Sequence, residues 1–179
     1  MPRSLVKSLA SCGLIAAALT SVAATAREVE TIRATFISNA GTEIGSASVR
    51  GGAHGVVVRI ELKPGALTPG WHGLHFHAVG DCSDRDKFLN AKAHVNHNGA
   101  PHGLLNPGGP EAGDLPNLWV MQDGSARAEI ASQLVTLRDG PHALLTAVGS
   151  SLIIHAGEDD HVSQPIGNSG ARVACAVIK

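Results

Sequence analysis

Short runs that alternate between apolar and polar residues are the feature that most restricts the fold. In His54-Gly55-Val56-Val57-Val58-Arg59-Ile60-Glu61-Leu62, the residues Val56, Val58, Ile60 and Leu62 fall on one face at a period of two. Ser125–Ile130 repeats the pattern with smaller side chains. Val29–Ile37, Ala47–Arg50, Trp71–His77, Leu118–Gln122, Leu152–His155 and Arg172–Ile178 are further strand candidates. Gly, Pro, Asn and Asp punctuate the gaps, as in Lys63-Pro64-Gly65, Asp123-Gly124 and Asp139-Gly140-Pro141. Beyond the first 26 residues no stretch sustains a helical period, and 21 Gly with 9 Pro in 179 residues argue against a helical bundle. The pattern predicts an all-β domain: an eight-stranded Greek-key sandwich or barrel. Two segments, Gly80–Pro116 and Ala156–Ala171, are too long for ordinary connections. Loops of that length in a compact β domain are usually functional.

Residues 1–26 read as an export signal and 27–179 as the mature domain. Arg3 and Lys7 precede an apolar stretch over Leu9–Ala24, and Ala24-Thr25-Ala26 offers a small-x-small cleavage pattern. Residues 8, 11, 20 and 21 are Ser or Thr within or beside that stretch, and it is short for a membrane span. The expectation is therefore a periplasmic or otherwise exported protein with no membrane attachment after processing. Of the three cysteines, Cys12 leaves with the signal, and Cys82 and Cys175 remain to pair in an oxidising compartment. On chain-entropy grounds, a bridge closing a loop of about 90 residues contributes roughly 4–5 kcal/mol. A formal charge of -1 gives no electrostatic reason to expect a nucleic-acid partner. The sequence leaves monomer and homodimer open.

All ten histidines lie beyond residue 50. His75-Phe76-His77 puts two imidazoles on one face of a strand, within reach of one ion, in an apolar and Gly-rich setting unlike a solvated surface. His94 and His102 follow in the first long segment, with Asp114 beyond, and His155 ends the strand Leu152-Ile153-Ile154. Neutral imidazoles suit copper and zinc, and a nearby carboxylate suits zinc.

From about residue 45 to the C-terminus the chain resembles the copper/zinc superoxide dismutases, in particular their exported bacterial branch. The resemblance rests on His72-Gly73-Leu74-His75-Phe76-His77 with Gly80-Asp81-Cys82, on Pro101-His102-Gly103-Leu104-Leu105-Asn106-Pro107, and on Gly113-Asp114-Leu115-Pro116-Asn117-Leu118. Ile154-His155-Ala156-Gly157-Glu158-Asp159-Asp160, Ser163-Gln164-Pro165-Ile166-Gly167-Asn168 and Arg172-Val173-Ala174-Cys175 complete it, in family order and spacing. It implies one copper per chain on His75, His77, His94 and His155, and one zinc on His94, His102 and Asp114, with His94 bridging. Asp159 is implied as the carboxylate linking His75 to His102; His72 is read as support near the copper. Arg172 is implied to steer superoxide, and His94 to donate the proton that completes hydrogen peroxide. A copper carrier on the same scaffold, with little catalysis, is the alternative.

The pattern breaks at the zinc half. The position of the family's third zinc histidine, nine residues after His102, holds Glu111. Ala93 and His97 stand where the family usually has Gly and Pro around the bridging histidine. Glu111 as zinc ligand, His97 as a substitute imidazole, and a copper-only centre are the three readings, with Glu111 placed first and His97 last. With Glu111 added, a zinc position that would be formally neutral becomes -1. That charge is expected to weaken zinc's pull on His94 and raise the proton affinity of the bridge.

Overall fold

The computed structural model describes Met1 and residues 29–179; apart from Met1, the export signal read over residues 1–26, Cys12 included, lies outside the described residues. Among the described residues nine strands follow in chain order: β1 (Thr31–Ser38), β2 (Glu43–Gly52), β3 (Gly55–Leu62), β4 (Gly70–His72), β5 (Leu74–His77), β6 (Leu118–Val120), β7 (Ala126–Ser132), β8 (Ser150–His155) and β9 (Arg172–Ile178). Among the described residues the one helical piece is a three-residue 3-10 turn, Leu89–Ala91. Every strand pair is antiparallel.

The run Trp71–His77 is divided at Gly73. Before it, β4 pairs with β6; after it, β5 pairs with β8. Gly73 N–H donates to the Gly157 carbonyl, and the Gly73 carbonyl accepts from His155 N–H, so the long loop after β8 interrupts the ladder there. The larger sheet has the order β5-β8-β9-β1-β2-β3-β7. The chain joins its ends: β6 turns into β7 through a hairpin closed by Met121 N–H on the Ser125 carbonyl, and β4 runs on into β5. Counted as one bent strand, β4 and β5 bring the circuit to eight strands; β6 and β7 are joined by that turn but share no ladder, so β7 is paired only with β3.

Alternation builds the core. Val56, Val58, Ile60 and Leu62 of β3 turn inward with Phe36, Val49, Phe76, Leu152, Ile154 and Ala176. On the outer side of β8 and β9, Ile153 and Cys175 are cross-strand partners. Phe88 and Ala91 of the first long loop cover them and form a second, small core. The Cys82–Cys175 disulfide ties that loop to β9, with Cα atoms 5.9 Å apart. The three strands nearest the site are therefore covered on both faces.

Candidate metal centre

On β5 the core side chains are Leu74 and Phe76, so His75 and His77 project to the opposite face. The first long loop lies across that face and pairs with β5 directly. Phe76 N–H donates to the Gly113 carbonyl, Val95 N–H to the Phe76 carbonyl, and Ala78 N–H to the Ala93 carbonyl. These contacts set His94 opposite His77 and Asp114 opposite His75. The approach needs a glycine at 113, because a Cβ there would lie 2.4 Å from the Phe76 carbonyl oxygen.

His75, His77, His94 and His155 come together as one buried group. His94 stands with its ring centre 4.1 Å from that of His75 and 4.8 Å from that of His77. In each ring one nitrogen is engaged from behind. His75 Nε2 lies 2.7 Å from Asp159 Oδ2, His77 Nδ1 2.7 Å from the Lys92 carbonyl, and His155 Nδ1 3.0 Å from the Gly170 carbonyl. The other nitrogens, His75 Nδ1, His77 Nε2, His94 Nε2 and His155 Nε2, are buried and meet no hydrogen-bond partner. Four orphaned imidazole nitrogens are costly in a protein interior unless a cation uses their lone pairs. The outer contacts present those lone pairs by holding the N–H on the opposite side of three rings. Burial keeps the rings neutral: it lowers the His75 pKa to about 4, the His155 pKa to about 3, and that of His77 well below the usual value. The donor set fits copper or another imidazole-binding metal.

His94 also belongs to a second group with His102, Glu111 and Asp114. Its Nδ1 lies 2.5 Å from Glu111 Oε2 and 3.4 Å from Asp114 Oδ1. His102 Nδ1 lies 2.8 Å from Asp114 Oδ1 and 3.4 Å from Glu111 Oε2. Two nitrogens and two carboxylate oxygens at this spacing fit a four-coordinate zinc, whose ligand atoms stand about 3.3 Å apart when the bonds are about 2.0 Å. Burial opposes charge on His102, but bonds to Asp114, Asp159 and Glu111 outweigh it and raise its pKa to about 11. Burial likewise opposes ionisation of Glu111, yet His102 and His94 lower its pKa to about 2. For His94 the Asp114 and Glu111 bonds overcome burial and raise the pKa.

Asp159 spans the two groups, with Oδ2 on His75 and Oδ1 3.1 Å from His102 Nε2. His161 N–H also donates to its Oδ1, and Asn117 clasps its main chain at both N–H and carbonyl. Gly167 packs against this carboxylate so closely that a Cβ would overlap Asp159 Oδ1. His72 is buried between the carbonyls of His155 and Thr68, 2.7 and 2.8 Å from its two ring nitrogens.

Arg172 is half-buried beside the first group. Its Nη1 donates to the Phe88 carbonyl at 2.6 Å and its Nη2 to the Lys92 carbonyl at 2.7 Å. The Lys92 carbonyl also faces His77 Nδ1, so one peptide oxygen fixes both the guanidinium and an imidazole. The Arg172 charge further lowers the proton affinity of His77 and His155.

His97 does not join the second group: it is exposed and stacks on His142, ring centres 5.7 Å apart. His161 is partly buried and packs at the edge of Asp159. Asn96, Asn117, Gln164 and the Lys92 carbonyl were not singled out by sequence. Asn117 and Gln164 stand inside the motif blocks, but nothing about their residue types marks them as partners of Asp159 and of the His102 backbone.

The all-β fold thus sets a four-imidazole group beside a histidine–carboxylate group, joined through His94, and each group could hold a metal ion. Residues 43–178 match the copper/zinc superoxide dismutase family, and the chain belongs to that family. The Cu-Zn superoxide dismutase of Caulobacter vibrioides is 53% identical over 143 residues, which cover 78% of this chain and 80% of that one. Superoxide dismutase 2 of Aquifex aeolicus, also a Cu-Zn enzyme by name, is 37% identical over 169 residues, or 93% and 97% of the two chains. The crystal structure of a superoxide-dismutase-like protein from Bacillus subtilis superposes with a TM-score of 0.77 at 31% identity, covering 82% of this chain and 97% of its own. The Cu/Zn superoxide dismutase of Brucella abortus gives 0.67 at 26% identity, covering 84% and 100%.

Proposed function

We propose that the protein is an exported superoxide dismutase that converts superoxide to oxygen and hydrogen peroxide. The observation that carries this reading is His94, whose Nε2 faces the three other imidazoles while its Nδ1 faces Glu111 and Asp114. His75, His77, His94 and His155 would hold copper; His94, His102, Glu111 and Asp114 would hold zinc. Copper would supply the one-electron steps and zinc a fixed positive charge on the far side of His94.

Arg172 draws and orients the anion. Its two carbonyl contacts hold the guanidinium still, and a preorganised cation pays no reorganisation cost when the substrate arrives. When it is not engaged as a metal donor, His94 Nε2 would be the atom at which a proton waits beside the substrate to be handed to the reduced product. Asp159 holds His75 and His102 in place on either side. The carrier reading is not favoured, since a copper store has no use for a restrained anion-binding arginine. The Cys82–Cys175 disulfide and the basic-then-apolar start of residues 1–26 support export to the periplasm or a similar oxidising compartment.

The test is superoxide consumption by protein loaded with copper and zinc, beside Arg172→Ala. The expected result is rapid turnover that falls about 100-fold or more in the variant, with copper content unchanged. Negligible turnover by the natural chain at full copper content would defeat the enzyme reading, and an equal rate in the variant would remove the role of Arg172.

A further inference from the structure

The two carboxylates of the second group each have a spare oxygen, and the fold engages them differently. Asp114 turns Oδ1 toward the imidazoles, and its Oδ2 accepts main-chain N–H from Gly103 at 2.8 Å and Glu111 at 3.0 Å. Glu111 turns Oε2 toward the imidazoles, and its Oε1 accepts from Asn96 Nδ2 at 2.8 Å. The same amide donates to the Ala100 carbonyl at 2.9 Å, and Asn96 Oδ1 accepts from Ala100 N–H at 3.1 Å. Both amide hydrogens and the oxygen are thus used. The reverse orientation would set the amide oxygen against a carboxylate oxygen, so the network admits one orientation.

We propose that Asn96 is a positioning residue that holds Glu111 as a one-oxygen donor and thereby limits the second metal position to four donor atoms. The proposal rests on the reading of Glu111 as a metal donor. Two imidazole nitrogens and two single oxygens suit zinc. A carboxylate free to offer both oxygens raises the donor count and the oxygen share, which suits manganese, calcium or magnesium better. Asp114 is restrained by backbone, which side-chain substitution leaves in place. Glu111 depends on a side chain, so Asn96 is where the selectivity can be changed.

The experiment measures zinc affinity by chelator competition, and the visible spectrum with cobalt(II) in place of zinc, on the full chain and its variants. Asn96→Ala is expected to bind zinc about 10–100-fold more weakly, with weaker cobalt bands as the donor count rises. Asn96→Asp keeps an oxygen for Ala100 N–H but loses the donor to Glu111. Its added negative charge alone would tighten zinc binding, whereas loss of the donor loosens it, and looser binding is expected. In a Glu111→Gln background, Asn96→Ala should change zinc affinity less than about threefold, since contacts that act together are not additive. Unchanged zinc affinity and cobalt bands in Glu111→Gln alone would sink the underlying reading of Glu111. If Glu111→Gln weakens zinc while both Asn96 variants bind zinc normally with unaltered cobalt bands, Asn96 has no positioning role. An equal loss from Asn96→Ala with and without Glu111 would mean that it acts on the loop at large, and that too overturns the proposal.

Discussion

The two halves of the site meet their buried polar groups in opposite ways. In the four-imidazole half, His75, His77 and His155 are neutral, each braced from behind by a carbonyl or Asp159, and their inward nitrogens meet nothing in the protein. In the other half the donors satisfy one another: His102 is raised to about 11 by its carboxylates, and Glu111 is lowered to about 2 by its histidines. A cation entering the first half finds free lone pairs on three of the four rings. A cation entering the second must displace a proton from His102 and break existing ion pairs. Preorganisation by unsatisfied donors and preorganisation by internal pairing therefore sit side by side, joined through His94.

The largest expected effect separates the halves by pH. In the metal-free protein His102 is protonated throughout the neutral range, because its pKa lies well above 7. Zinc must displace that proton, so each unit fall in pH should cost zinc about a factor of ten from His102 alone. His94 contributes to both positions, and His75, His77 and His155 are neutral down to about pH 4, so the ratio of zinc to copper affinity isolates the His102 proton. Between pH 7.5 and 5.5 that ratio should fall about 100-fold, read by chelator competition for each metal. A flat ratio would show that His102 is not held protonated.

Asp159→Asn tests what the halves share. Asp159 touches a histidine of each, so removing its charge should weaken copper and zinc together, by about tenfold each. A loss confined to one metal would show that the carboxylate serves only that side. The smallest effect belongs far from the site. The Arg59–Glu129 pair joins exposed ends of side chains on β3 and β7, and Arg59→Ala should change unfolding free energy by no more than about 1 kcal/mol in denaturant titrations. A larger change would mean that the outer face of the barrel contributes more than exposed ion pairs ordinarily do.

Most strands were legible because alternation is a local signal, as β3 and β9 show. The local pattern marks only Ala47–Arg50 of β2: Gly45 and Gly51-Gly52 look like punctuation, yet they pair with Leu62, Val56 and Gly55 inside the β2–β3 ladder. Gly73 conceals a change of sheet that only pairing with β6 and β8 reveals. The candidate ligands were legible because His, Asp and Glu announce their chemistry by type, and the structure brings them into two groups that could each hold a metal ion. Asn96, Asn117 and the Lys92 carbonyl were not, since each acts through where a hydrogen bond points, and many polar residues could occupy such a place without doing so.

The amino-acid order by itself determined that the chain forms alternating strands, that His75 and His77 share one face, and that Glu111 stands where the related family has a histidine. Tertiary structure decided which side Arg172 takes. Strict alternation along Arg172–Ile178 would align Arg172 with Ala174, Ala176 and Ile178, all buried in the core. Pairing with β8 shifts register between Ile154 and His155, so that Ala174 pairs with Ile154 but Arg172 with His155. The extra residue, Val173, packs against the core instead. A bulge of this kind arises from two strands fitting each other, and it turns every residue beyond it to the other face. It brings the guanidinium to the imidazoles, and no period within one strand encodes it.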